Sequence, residues 1–231
     1  MGRPSRALLS REIIARAALD VVDEHGADGL TMRAVADRLG VKAASLYNHV
    51  TGKDELIDDL AELVNAEIDL TPLEAPAEDA PVPGGHTAPG GADWRAGLAA
   101  YARGYRAAFL RHPNTIALLA RRQVGAERQL LGYDTLLAAL GRAGLAPADA
   151  AEAAAALDYL VLGSALETFT AGFTRPAAEY RPRYPALAGA LEASAERGGA
   201  AGPGAPGLDE RGFDLALRLL LDGLAARLPR T

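Results

Sequence analysis

Cysteine is absent from the 231 residues, which excludes disulfide frameworks, zinc–cysteine sites, iron–sulfur clusters and thiol nucleophiles. β-Branched aliphatics are scarce: 9 Val and 5 Ile stand against 51 Ala and 35 Leu. Residues that favour helix dominate the apolar set, so an all-α chain is expected. Lysine is nearly missing too, with Lys42 and Lys53 beside 22 Arg. No uncharged apolar run approaches the roughly 18 residues of a bilayer span, because Glu152, Asp158 and Glu167 interrupt the best candidate. Arg3, Arg6 and Arg11 bracket only a three-residue apolar run, so no secretory signal is expected. These absences predict a cytoplasmic, helical protein without membrane contact.

Catalytic signatures are missing as well. There is no G-x-S-x-G and no glycine-rich phosphate loop, and both lysines fall in the first 53 residues. His25, His49, His86 and His112 never pair at i, i+3 or i+4, so a helical metal site lacks its ligands. An enzyme is not expected, nor is a cofactor or a metal.

Net charge is −6, an unpromising value for a nucleic-acid binder until it is mapped. Residues 1–53 carry +2, residues 54–69 carry seven acids and no base, and the remainder carries −1. A mildly basic head is followed at once by an acidic stretch, which by itself reads as solvated helix faces.

Residues 71–93 hold five Pro and four Gly and little to bury, so a linker is expected there. It separates a head, residues 1–70, from a body, residues 94–231. A second flexible insert is expected at 198–207, after the proline-interrupted stretch 175–185. Apolar periodicity predicts head helices over about 11–26, 32–39, 42–50 and 53–69. In the body it predicts helices over about 94–112, 114–125, 127–143, 147–174 and 208–228. The helix over 147–174 carries two apolar stripes, so it must be covered on two sides. One cover is expected to be a second copy of the chain, with Gly163, Ala165, Leu221 and Gly223 near the crossing.

The informative stretch is TMRAVADRLGVKAASLYNHVTGK, residues 31–53. Ala36 is small where two helices must cross closely, Gly40 suits a left-handed turn, and Leu46 can lock a second helix onto the core. That spacing fits a helix-turn-helix, whose second helix enters the DNA major groove. A plain αα-hairpin is the alternative reading of the spacing alone. The exposed face of the second helix would present Lys42, Ala43, Ser45, Tyr47, Asn48 and His49, groups suited to base edges and phosphates.

Residues 10–69 resemble the N-terminal domain of the tetracycline-repressor (TetR) family. The resemblance rests on T-x-R-x-V-A-x-x-L-G-V, then S-L-Y-x-H-V, then K-x-E-L, as they stand in this chain. Residues 94–228 are similar, more loosely, to the ligand-binding domain of the tetracycline-repressor branch, through RAAFLRHPN, LLAALGRAGL and LDYLVLGSALE. The resemblance implies a homodimeric, ligand-responsive repressor of pseudo-palindromic double-stranded operator DNA, released by a small-molecule inducer. It assigns Arg33, Tyr47 and Lys53 to phosphates, with Thr31 at the same edge. Lys42, Ala43, Ala44, Ser45, Asn48 and His49 would face the groove, and Arg3 and Arg6 could add a mobile arm. The alternative is a helical small-molecule-binding protein or enzyme whose head no longer binds DNA.

The implied ligand pocket comprises Tyr105, Phe109, His112, Ala117, Tyr133, Asp158, Leu162, Glu167 and Phe169. Two positions depart from the tetracycline sensors. Ala117 stands where they carry a metal-coordinating histidine, and Asp158 replaces a second pocket histidine. An inducer bound without magnesium is therefore expected, apolar in its body and carrying a donor or a positive charge. Asp158 could instead pair with an arginine such as Arg121 or Arg122.

Overall fold

The computed structural model describes residues 9–74, 94–120, 122–166, 169–200 and 207–228. Arg3, Arg6, Arg121 and Glu167, most of the 71–93 linker and residues 201–206 of the second insert lie outside them. The described residues are helical and contain no strand. They divide into two compact units, residues 1–143 and 144–231.

In the first unit α1 (Arg11–Gly29) packs on α2 (Met32–Leu39) and α4 (Lys53–Ala66). Ser10 starts α1, its Oγ accepting the Ile13 N–H at 3.2 Å, and Ile14, Ala17, Ala18, Val21 and Val22 are buried on one face. The regular helix stops at Gly26, whose φ of +74° is open to glycine but strained for other residues. Leu56 and Leu60 of α4 are fully buried, each contributing about 1.5–3 kcal/mol of apolar transfer. A single 3₁₀ turn, Thr71–Leu73, buries Leu73 at the start of the expected linker. The unit continues with α5 (Trp94–Arg111), α6 (Pro113–Leu119) and α7 (Glu127–Arg142). Helix α6 is shorter than the expected 114–125: Pro113 begins it, and beyond Leu119 the chain turns so that Arg122 reaches α4.

The second unit contains α8 (Pro147–Leu166), α9 (Ala177–Tyr180), α10 (Pro185–Ala200) and α11 (Leu208–Arg227). Within the expected helix over 147–174, α8 covers Pro147–Leu166 and a 3₁₀ turn covers Thr170–Gly172. The Asp209 carboxylate takes the Thr170 N–H and hydroxyl, offering that backbone a partner outside any helix. Helix α10 falls where no helix was expected; Pro185 occupies its first turn and alanines fill its interior. Leu157, Val161 and Ala165 of α8 are buried, as are Phe213, Leu217, Leu221 and Leu224 of α11, and the two helices pack together. Leu221 and Ala165, expected near the crossing with a second copy, thus face their own chain, whereas Gly163 and Gly223 are exposed. Tyr159 and Leu166 of α8 and Leu215 and Leu219 of α11 are exposed as well.

Candidate nucleic-acid interface

Helix α2 begins at Thr31, whose side-chain oxygen accepts the Ala34 N–H at 3.0 Å. It ends at Gly40 with φ +64°, where the Gly40 N–H turns back to Asp37 and the Val41 N–H reaches the Ala36 carbonyl at 3.0 Å. This αL closure lets the chain reverse within two residues. Helix α3 (Ala43–Leu46) follows, flanked by Lys42 and a turn at 47–49. It is shorter than the expected 42–50. Leu46, Val50, Val35 and Ala36 are buried to about 1% exposure or less, fixing the inner side of the turn and leaving its outer side outward.

On that outer side Lys42, Ala44, Tyr47, Asn48 and His49 are exposed, and Ala43 and Ser45 half-buried. Lys53 is exposed at the first residue of α4. Neither lysine has a carboxylate within 4 Å among the described residues. Arg33, nine-tenths exposed, reaches only Asp37, at 3.8 Å, among the described residues. Arg38 is different: it grips Glu24 with two bonds of 2.7 Å and Asp20 with one of 3.2 Å, tying α2 to α1. The Arg38 hydrogen bonds hold the Glu24 carboxyl below the usual range. Thr31, placed at the interface by resemblance, serves as the cap of α2.

The turn that delivers Lys53 is held from behind. Glu55 accepts the Thr51 N–H at 2.6 Å and Arg11 at 2.5 Å, and Arg11 also bonds Asp59. The Thr51 N–H keeps the Glu55 carboxyl below its ordinary pKa, aided by Arg11. The rest of the acidic stretch is committed in the same way. Asp54 and Asp58 share Arg122, at 3.0 and 2.7 Å. Glu62 accepts the Glu127 and Arg128 N–H groups at the start of α7, a helix whose own N-cap, Ala126, supplies no side-chain bond. Glu67 pairs with Arg111 and His112, and Asp69 caps Thr71. All seven acids of 54–69 hold a partner, where charge alone suggested solvated faces. The signal was present as an acid run without bases, but its partners lie up to 68 residues away.

The expected pocket residues fall in both units. In the first, Tyr105 and Phe109 are buried with ring centroids 5.4 Å apart, and Tyr133 is half-buried. Ala117 is exposed on α6 and offers no donor to a metal. His112 stands between two carboxylates, Asp23 at 2.7 Å and Glu67 at 3.0 Å. In the second unit Asp158 and Leu162 are half-buried, while Phe169 lines a cavity of about 260 Å³ with Leu160, Ser164 and Phe213. Arg122, offered as a partner for Asp158, is engaged by Asp54 and Asp58. Among the described residues no group of three or more His, Asp or Glu is placed to hold a metal ion.

Two family models match this chain. "Bacterial regulatory proteins, tetR family" covers residues 14–60, and "Tetracyclin repressor-like, C-terminal domain" covers residues 87–228. The chain is 34% identical to the class A tetracycline repressor protein from transposon 1721 of Escherichia coli, over 95% of this chain and 92% of that one. It is similar in structure to a possible TetR family transcriptional regulator from Streptomyces coelicolor A3(2), with TM-score 0.71, 29% identity, and 94% and 99% of the two chains covered. It also resembles the Streptomyces coelicolor TetR family protein ActR in complex with actinorhodin, with TM-score 0.69, 26% identity and coverage of 97% and 99%.

Proposed function

Because this chain belongs to the TetR family of bacterial regulatory proteins, we propose that it is a DNA-binding transcriptional repressor that a small molecule releases from its operator. One observation carries the reading: Lys42, Tyr47, Asn48, His49 and Lys53 stand exposed together on a helix-turn-helix, with Arg33 exposed beside them and Arg38 engaged by Glu24 and Asp20. Tyr47, Arg33 and Lys53 contact phosphates and set the register, and Lys42, Ser45, Asn48 and His49 read base edges. Ala43 and Ala44 leave room for the groove wall. Its place of work is the cytoplasm, where the operator lies.

TetR family regulators bind operator DNA as dimers, and the stripe of Tyr159, Leu166, Leu215 and Leu219 is the surface a second copy would cover. Half-sites then lie about one helical turn apart, roughly 34–36 Å. Two phosphate-bound cations per subunit make about four per dimer, so log K against log salt should fall with a slope of about −4. The test is selection of duplexes from a random pool by the wild-type protein, followed by salt titration of the winner. Enrichment of a palindrome with that slope supports the reading, and failure to enrich any sequence overturns it.

The inducer we infer is apolar in its body, suited to aromatic residues, and carries a donor or a positive charge. Ala117 removes the imidazole on which a magnesium-dependent inducer would rely. Calorimetric titration with tetracycline, with and without magnesium, checks this: no metal-dependent binding is expected, and tight metal-dependent binding would refute it.

A further inference from the structure

His112 closes α5 at the point where Pro113 starts α6, and its side chain is only 15% exposed. Its Nδ1 lies 2.7 Å from Asp23 Oδ2 on α1, and its Nε2 lies 3.0 Å from Glu67 Oε1 at the end of α4. Both carboxylates belong to the DNA-binding head. Asn114 reinforces the same junction, donating to the Val22 and Asp23 carbonyls at 3.1 Å each. Asp23 Oδ1 is buried with no hydrogen-bond partner among the described residues, so the imidazole is the hydrogen-bond donor that this carboxylate has there.

A neutral imidazole carries one N–H and one lone pair, whereas an imidazolium carries two N–H groups. Either neutral tautomer therefore points a lone pair at one of the two carboxylates. Glu67 does not relieve this readily. Burial pushes the Glu67 carboxyl up, but Arg111 and His112 outweigh it and hold it below the usual range, so Glu67 remains an acceptor where imidazoles titrate.

We propose that His112 is a proton-operated latch: as imidazolium it ties α1 and α4 of the head to the α5–α6 junction, and on losing its proton it lets one of the two go. The groups that face it are Asp23 from α1, Glu67 from α4 and, behind Glu67, Arg111 from α5. The latch is complete while the ring carries both protons and loses one arm when one of them leaves. The pose of the head relative to α6 thereby becomes dependent on pH, and operator affinity with it.

The experiment compares the full-length wild type with His112→Gln, which is neutral at every pH, and His112→Lys, which keeps a cation. Thermal melting is followed at about pH 6 and pH 8. The wild-type melting temperature should fall by about 2–4 °C more than that of either variant. Operator affinity, measured with the duplex that the wild type enriches from a random pool, should change about tenfold across the same window, and both variants should lose that dependence. Identical pH profiles in wild type and variants, in either measurement, would overturn the latch. The melting arm needs no DNA, so it is separable from the operator reading on which the binding arm rests. Should both variants misfold, wild-type NMR decides: the His112 ring and the amides of Asp23 and Glu67 must titrate together, and independent titration refutes the proposal.

Discussion

Lys42 and Lys53 project from the α3 side of the head with no carboxylate within 4 Å among the described residues, whereas each of the seven acids on and just after α4 is held by a cation, a helix end or a turn. The two regions adjoin in sequence and carry opposite charge, yet the difference that matters is commitment. Groups meant for an external partner are left unneutralised, and groups that look solvated are joined to the elements behind them. Substitutions on the first face should alter binding and leave folding alone. Substitutions behind it should alter folding or communication and leave the DNA contacts in place.

Leu46→Ala tests the platform under the free face. Leu46 is fully buried, so a loss of about 2–5 kcal/mol is expected in urea unfolding, and DNA binding should fail with it. Tyr47→Ala with Lys53→Ala should sharpen the comparison: about a hundredfold weaker operator binding with an unfolding midpoint unchanged. A midpoint that moves with binding would erase the distinction. Gly40→Ala forces an L side chain to φ +64° and should cost about 1–2 kcal/mol, visible as a lower urea midpoint. Asp58→Asn loosens an exposed pair with Arg122 worth about 0–1 kcal/mol. It should leave the salt slope at about −4, since no phosphate contact is removed. The smallest effect concerns acid. The stability that Glu55 and Glu67 add is present above the ordinary carboxylate range and is lost as pH falls through their depressed pKa values. Glu55→Gln should flatten the fall in melting temperature between about pH 5 and 3.

Much of this architecture was legible because it is local. Ile14, Ala18 and Val22 recur at helical spacing, Thr31 caps, Gly40 turns and Leu46 anchors, and each of these signals lies within a few residues of the structure it dictates. Helix α10 was not legible: among its described side chains Ala188 alone is buried, so it carries no apolar stripe to read. The end of α8 was overrun because Phe169 and Phe173 continue an apolar period that Asp209 interrupts from a distant helix. The same reason hid the pairing of His112, read as a ligand residue. Its partners Asp23 and Glu67 lie 89 and 45 residues away, and no local pattern encodes such a meeting.

Glu62 has a further bearing on how repressors of this kind can be recombined. The proline-rich stretch after residue 74 looks like a natural seam for exchanging one operator-binding head for another. Yet α7 borrows its N-terminal cap from Glu62 on the far side of that seam, and Arg111 and Arg122 take their counter-charges there too. A chimera cut at the linker would inherit a helix without its cap and two guanidinium groups without their acids. The exchangeable part is therefore the whole compact unit through Ala143, or a head chosen to carry an acid at each of those positions.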